Sequence, residues 1–182
     1  KAHERGAWAL GIKYFGYGEM QSADVDGTIT GTFTAQDLAF NLTYSHDITE
    51  RLRGGICVKY IHSSYEDYTA AALATDLGIN YYNPEKDQSF SVVIANLGGQ
   101  IKRFNESYDR LPIDIRLGWT QSLSNLPFRL SVTAWNLTKW ELPYYETGDG
   151  TINAKPELKS SFSSNLFRHL IFAADYVPSE RL

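Results

Sequence analysis

Residues 36–45 read QDLAFNLTYS, and this stretch decides the fold. Its apolar and aromatic side chains occupy alternate positions, Leu38, Phe40, Leu42 and Tyr44, and the positions between them are small or polar. A two-residue period is typical of a β-strand with one apolar face, and a helical period fits the stretch less well. We therefore predict a strand here and extend the interpretation to the sequence on both sides.

The same alternation recurs in residues 72–82, 113–120 and 128–135. The apolar positions of these segments are Leu73, Thr75, Leu77, Ile79 and Tyr81; Ile113, Ile115, Leu117 and Trp119; and Phe128, Leu130, Val132 and Ala134. Less regular alternation marks segments that begin near Trp8, Ile56, Phe90 and Leu170. In the third of these the phase changes, and Gly98-Gly99 is predicted to host a bulge. The chain therefore contains about eight predicted strands, each suited to a tilted membrane crossing of roughly 9–11 residues.

The links between these segments predict an up-and-down order. Asp26-Gly27 is a good hairpin turn. Short links follow the even-numbered strands, at Asp47–Glu50, Asn83–Asp87 and Ser124–Pro127. A long link, Lys139–His169, follows the seventh strand. Because outer-membrane barrels have short periplasmic turns and longer external loops, we expect Lys139–Phe167 to lie outside the cell.

Composition excludes several classes of protein. The chain has 182 residues with 17 basic and 21 acidic side chains, and this net negative charge argues against a nucleic-acid-binding protein, which would need a basic stripe. Its single cysteine, Cys57, excludes an internal disulfide framework and a cysteine-based zinc cluster. No apolar run approaches the roughly 18 residues of a membrane helix. We expect residues 1–182 to form a single β-barrel domain, and we interpret both ends of the chain as cuts from a longer barrel.

Two environments remain open for such a sheet, because a soluble β-sandwich or lipocalin-like barrel also has one apolar face. Three features favour a membrane: small and charged residues mixed on the second face, aromatic residues at strand ends, and strands longer than the usual five to six residues or so. Arginine facing lipid at mid-membrane costs about 2–4 kcal/mol. We therefore expect Arg116 and Arg129 to face inward and to pair with acids such as Asp114 on neighbouring strands.

Candidate chemical sites are weak. Asp24–Thr28 superficially resembles a calcium loop but lacks the later ligands, so it is interpreted as a hairpin turn. Gly16–Gly18 is not followed by a nucleotide-binding helix, and Asn136 begins one of three glycosylation sequons that we ascribe to chance. The four histidines are scattered, and each is interpreted as a strand-end or inward polar residue. The sequence nominates no catalytic, cofactor-binding or metal-binding residue, although a dispersed Ser-His-Asp triad stays open.

Several segments resemble a known family. They are residues 31–40 (GTFTAQDLAF), 54–64 (GGICVKYIHSS), 74–79 (ATDLGI), 94–101 (IANLGGQI), 111–119 (LPIDIRLGW) and 168–179 (RHLIFAADYVPS). Together they resemble the PorQ-like outer-membrane barrels of the type IX secretion system, which are relatives of PorV and of the FadL-type transporters. The resemblance covers nearly the whole chain, and its motifs are structural rather than catalytic.

The resemblance implies a transmembrane antiparallel up-and-down barrel of about fourteen strands, of which about eight are visible here. It implies a non-enzymatic component without a cofactor, integral to the outer membrane. The implied partners are a surface protein of the PorZ type, other subunits of the attachment complex, outer-membrane lipids and lipopolysaccharide. The alternative is a FadL-like transporter of hydrophobic small molecules, although the chain lacks the N-terminal plug of those transporters.

The long link is the expected docking surface for a surface partner. Trp140, Tyr144 and Tyr145 lie in it, and aromatic residues are favoured at protein interfaces. An equally good interpretation is that these aromatic residues lie at the membrane boundary.

Overall fold

The computed structural model describes residues 6–104, 108, 110–124, 126–142, 145–146, 157–158 and 161–177, the pairs 145–146 and 157–158 by their backbone alone. The elements within these ranges are β1 (Gly6–Ala23), β2 (Ile29–Asp47), β3 (Leu52–Tyr65), β4 (Tyr68–Asn83), β5 (Gln88–Lys102), β6 (Asp114–Ser122), β7 (Phe128–Ala134), β8 (Tyr145–Glu146), β9 (Glu157–Leu158), α1 (Phe162–Arg168) and β10 (Leu170–Tyr176).

Eight of the strands form one sheet in the order β1-β2-β3-β4-β5-β6-β7-β10. Strands that follow each other in this order are antiparallel neighbours, as in an up-and-down meander. The two-residue strands β8 and β9 pair separately. The predicted all-β class and the eight predicted strands are therefore confirmed. The predicted length is wrong for β7 and β10, which have seven residues each instead of the roughly 9–11 of a tilted crossing.

The chain divides into two compact units. The first comprises Lys1–Ile79 and Ile94–Ile113, and the second comprises Asn80–Val93 and Asp114–Leu182. The boundaries between the units fall within β4 and β5. The expectation of a single domain over residues 1–182 stays a prediction.

The predicted turns are confirmed. Gly27 has a φ of +79°, its N–H donates to the Asp24 carbonyl at 2.8 Å, and Asp24 N–H donates to the Thr28 carbonyl at 2.9 Å. Glycine tolerates this left-handed conformation because it has no Cβ. The other short links, at residues 48–51, 84–87 and 123–127, lie at the predicted places.

Two irregularities interrupt the long strands. In β1 the register moves from Gly16–Gln36 to Glu19–Thr34, so β1 has one extra residue there, and Gly18 has a φ of +82°. In β5, Asn96 has a left-handed backbone, with a φ of +61°.

Gly98 allows two strands to approach closely, while the bulge predicted at Gly98-Gly99 stays a prediction. A Cβ at this position would overlap the backbone carbonyl of Leu73 in β4. The glycine therefore permits close approach of the neighbouring strand, which is a common reason for glycine within a sheet.

The helix α1 lies in a segment that sequence patterns treated as a plain link. Ser161 caps it, because the Ser161 hydroxyl accepts from Ser164 N–H at 3.3 Å. A serine cap, an i,i+4 pair of apolar residues (Phe162 and Leu166) and a basic last turn are the signals that could have revealed it. Seven residues are too few to produce a convincing helical period.

Candidate functional site

The strand registers of the first unit assemble a continuous apolar face. Residues paired across neighbouring strands lie on the same side of a sheet. The apolar rows across β1, β2 and β3 are Trp8–Tyr44–Ile56, Leu10–Leu42–Val58, Ile12–Phe40–Tyr60 and Tyr14–Leu38–His62. The predicted alternation therefore brings the expected residues together, with His62 as the single polar member of these rows.

The second unit repeats this arrangement over β6, β7 and β10. Its rows are Leu117–Ala134–Leu170, Trp119–Val132–Phe172 and Gln121–Leu130–Ala174, followed by the pair Phe128–Tyr176. In both units, aromatic rings pack against each other at the end of the apolar face that lies near the short links. The Trp8 and Tyr44 rings are 4.5 Å apart, and the Phe128 and Tyr176 rings are 5.7 Å apart.

The apolar face is exposed. Leu10 is 75% exposed, Leu42 47% and Leu130 39%. By contrast, Ala35 and Ala74 are each 2% exposed, and both occupy the alternate positions of their strands. A sheet in water buries its apolar face, so this distribution is the reverse of the one expected for a soluble sheet.

The opposite face, called the polar face below, has small residues and paired charges. In the first unit, Lys59 Nζ lies 2.5 Å from Asp76 Oδ2 and donates to Asn96 Oδ1 at 3.1 Å. The backbone N–H of Asn96 donates to the other oxygen of Asp76 at 2.8 Å. The Lys59 and Asp76 side chains are about one-fifth exposed, at 20% and 21%. In this cluster, which spans β3, β4 and β5, two mostly buried opposite charges therefore neutralise each other.

The second unit contains a similar aspartate–asparagine contact. Asp114 is 6% exposed and accepts from the backbone N–H of Asn136 at 2.5 Å. Asn136 is left-handed, with a φ of +55°, as Asn96 is. In both places a carboxylate holds the backbone N–H of a left-handed asparagine and pairs with a basic side chain. The sequence did not reveal this repeated arrangement, although each asparagine is followed by leucine.

The arginines follow the predicted face but not all of the predicted pairing. Arg116 and Arg129 occupy the positions alternate to Leu117 and Leu130. Arg116 pairs with Asp114 on its own strand, two residues away, rather than across neighbouring strands. Arg129 Nε instead donates to Ser122 Oγ at 3.3 Å, and its register partner in β10 is Asp175. Arg129 does not reach Asp114, because the register pairs Arg129 with Ser122, at the opposite end of β6 from Asp114.

A third polar group lies near the bulge of β1. Tyr17 donates to Asp37 at 2.7 Å, and Tyr65 donates to the same carboxylate at 3.0 Å. The Phe104 ring packs edge-on against Tyr65, with ring centroids 5.3 Å apart. Two phenols and a carboxylate thus tie β1, β2 and β3 together where β3 ends.

Asp87 organises one of the short links. It has a left-handed backbone with a φ of +43°, and it accepts from the Tyr82 hydroxyl at 2.8 Å. Hydrogen bonds from Ser122 and then from Tyr82 lower the pKa of Asp87, against partial burial, which raises it; the positive charge of Arg129 lowers it further. The ionised carboxylate of Asp87 therefore holds the link between β4 and β5 in place through its hydrogen bonds.

His169 is the most enclosed large side chain among the described residues, with no exposed surface. Its Nδ1 lies 2.8 Å from the Trp135 carbonyl oxygen and its Nε2 lies 2.9 Å from the Trp140 carbonyl oxygen. The imidazole also stacks on the Trp140 ring at 5.1 Å. His169 therefore joins the segment after β7 to the junction of α1 and β10, a role that its place in the sequence did not indicate.

The other histidines differ from one another. His46 lies near the end of β2 and stacks on Tyr44, which fits the predicted strand-end position. His62 lies three residues before the end of β3 and is paired with Leu38 on the apolar face. His3 lies outside the described residues.

The described residues contain no group of three or more metal-binding side chains, and none of their helices is long and apolar enough to cross a membrane. Asp24–Thr28 forms the hairpin turn described above. Tyr144, the Tyr145 side chain and most of the proposed docking link lie outside what the structure describes. No family model matches the chain, and no curated protein matches it.

Proposed function

We propose that the chain forms part of the lipid-embedded wall of a PorQ-like outer-membrane β-barrel. This barrel is non-enzymatic and anchors a surface protein of the attachment complex. The eight-stranded sheet would be part of a transmembrane barrel of about fourteen strands. Its partners would be a PorZ-type surface protein, neighbouring complex subunits, lipids and lipopolysaccharide. The resemblance of the segments quoted above supports the assignment to this family, and the exposed apolar face of the sheet supports the location in a membrane.

The exposed apolar face is the observation that carries this proposal. Full burial of an exposed leucine, valine or aromatic side chain is worth about 1.5–3 kcal/mol, so each side chain that is roughly half exposed would forfeit about half of this amount if it were left in water. Acyl chains cover such a face without a protein partner. A closed β-barrel is the architecture that places strands in lipid, because every backbone group there must be hydrogen-bonded and an open sheet edge would leave some unpaired.

The polar face favours an anchor over a transporter of hydrophobic molecules. A path for a fatty acid would be lined mainly by apolar side chains. The corresponding face here contains the Lys59–Asp76–Asn96 cluster and the Asp114–Arg116 pair. These groups suit an interior that is filled by water or by other polar groups.

The β1–β2 hairpin supports a role at the cell surface. β1 and β2 have 18 and 19 residues, about twice the roughly 9–11 needed for a tilted crossing. The register of β2 with β3 stops at Ala35–Tyr65, so the hairpin continues beyond β3 as a two-stranded ribbon. Like the link after β7, it follows an odd-numbered strand, and such links are the longer, external ones in outer-membrane barrels.

Two measurements on the full-length protein test the proposal. Cell fractionation tests the membrane location, and recovery of the protein in a detergent-free soluble extract would overturn it. Affinity purification from detergent extract tests the function: a large surface protein should co-purify, whereas a bound fatty acid without such a protein would favour the transporter. Deleting residues 144–156 should weaken capture of the partner if the long link docks it, and unchanged capture would remove that link from the account.

A further inference from the structure

The short helix α1 has an inverted distribution of side chains. Phe162 and Phe167 are 71% and 66% exposed, and Leu166 is also exposed, whereas Asn165 is 3% exposed. Helical spacing places the three apolar residues on one arc of the surface, which also includes the exposed Ser163, with Asn165 outside that arc. The helix therefore packs its polar side inward and presents its apolar side outward, as the neighbouring strands do.

Those neighbouring strands are short. β7 and β10 have seven residues each, and their pairing continues for one residue at either end, because Trp135 N–H donates to the His169 carbonyl and Val177 N–H donates to the Pro127 carbonyl. Nine paired residues give about 30 Å along the strand at about 3.3 Å per residue. At a tilt of about 40°, each strand would cover about 23 Å along the membrane normal, about 2 Å less than the apolar band of about 25 Å of an outer-membrane barrel.

The short junction between α1 and β10 places the helix at one end of this part of the wall. A single residue, His169, separates the end of α1 from the start of β10, and its carbonyl contacts hold the junction in place. Leu170 and Phe172 continue the apolar face from that point. Trp140 packs against Phe162, with ring centroids 5.6 Å apart, and adds a fourth apolar side chain to the helix surface.

We propose that α1 lies in the plane of the membrane at the outer edge of the apolar band, with Phe162, Leu166 and Phe167 among lipid chains close to the headgroups. This inference rests on the proposed function, because it requires the sheet to be in a membrane. Lipid is the occupant that the structure favours, since the exposed surface of α1 is continuous along the chain with the apolar face of β10. Amphipathic helices commonly bind at this depth through such a face.

The test uses single cysteines in the full-length protein with Cys57→Ser, reconstituted in vesicles and labelled with an environment-sensitive fluorophore. The two test variants are F162C and F167C. The lipid control is L42C on the apolar face, and the water control is V25C at the hairpin tip, where Val25 is 98% exposed. Quenching is measured with lipids carrying a nitroxide near the headgroup, with lipids carrying it deep in the chain, and with a water-soluble quencher.

Labels at 162 and 167 should be quenched by the shallow nitroxide at least about threefold more than the label at 25, and more than by the deep nitroxide. Quenching at 162 and 167 that matches residue 25, while residue 42 stays lipid-quenched, would overturn the placement of α1 and leave the proposed function standing. Loss of lipid quenching at residue 42 as well would overturn both. Protection of 162 and 167 from water only after a surface protein is added would assign the helix to a protein partner and overturn the lipid assignment.

Discussion

Arginine placed on either side of β2 should have opposite consequences. Leu42 lies in one of the two inner apolar rows, between Leu10 and Val58, and it is 47% exposed. Because it is not enclosed by protein, Leu42→Arg creates no clash, and its cost measures the environment outside the sheet. Asn41, the adjacent residue, occupies the polar face and provides the matched control.

The magnitude follows from the depth of Leu42 in the apolar band. Arginine at the lipid-facing midplane of an outer-membrane barrel destabilises it by about 2–4 kcal/mol, which is about 30- to 1,000-fold in the folding equilibrium. An exposed leucine in water would tolerate the same change within about 0.5 kcal/mol. We expect L42R to approach the larger cost and N41R to stay under about 1 kcal/mol.

Reversible unfolding of the full-length protein in vesicles by guanidinium provides the assay, with tryptophan fluorescence as the signal. The difference between L42R and N41R is the quantity to compare, because both variants add the same side chain at adjacent positions. Equal costs for the two variants, or a larger cost for N41R, would refute the assignment of the exposed face to lipid.

Three further predictions concern the polar face, a link and a glycine. Lys59→Met should destabilise the protein by about 1–3 kcal/mol because Asp76 loses its cation, and part of the loss should return in K59M/D76L; guanidinium unfolding of the double-mutant cycle measures this. Because the pKa of Asp87 is lower in the folded protein, Asp87 should contribute stability at neutral pH that disappears as the pH falls through that lowered value; D87N should remove this part of the pH dependence in unfolding measured from pH 7 downward. Gly98→Ala should destabilise by more than about 2 kcal/mol because its Cβ overlaps backbone, while Gly31→Ala, with open space around it, should be nearly neutral by the same assay.

Alternation predicted the strands well because a two-residue period assigns each side chain to a face whatever the neighbouring strand is. The apolar segment 36–45 therefore lies inside β2 as expected. The strand is longer than the pattern, however, since β2 begins at Ile29 and its partner β1 continues to Ala23. In the projecting ribbon, residues 29–34 alternate threonine with Ile29, Gly31 and Phe33, whereas the β1 part, residues 17–23, shows no clear period.

The polar clusters could not be predicted to the same extent, because they depend on register. Alternation placed Asp76 and Lys59 on one face, but only the strand pairing brings Asn96 to them. A left-handed asparagine also has no distinctive sequence signal beyond its residue type. The long-range pairing predicted for Asp114 was wrong for Arg129 for the same reason.

The helix α1 illustrates a different limit. Its seven residues span about two turns, and its apolar residues face outward, so the usual signal of an apolar core-facing stripe is reversed. The buried member, Asn165, would be interpreted as a surface residue from sequence alone.

Solvent access along residues 36–45 tests the central claim most directly. Each position is changed singly to cysteine in the full-length protein with Cys57→Ser, and a fluorescent label at each is quenched in turn by lipid-borne and water-soluble agents. Lipid quenching should alternate with a two-residue period, strong at 38, 40, 42 and 44 and weak between them. Uniform access of water to all ten positions, or lipid quenching at the odd-numbered positions, would contradict it.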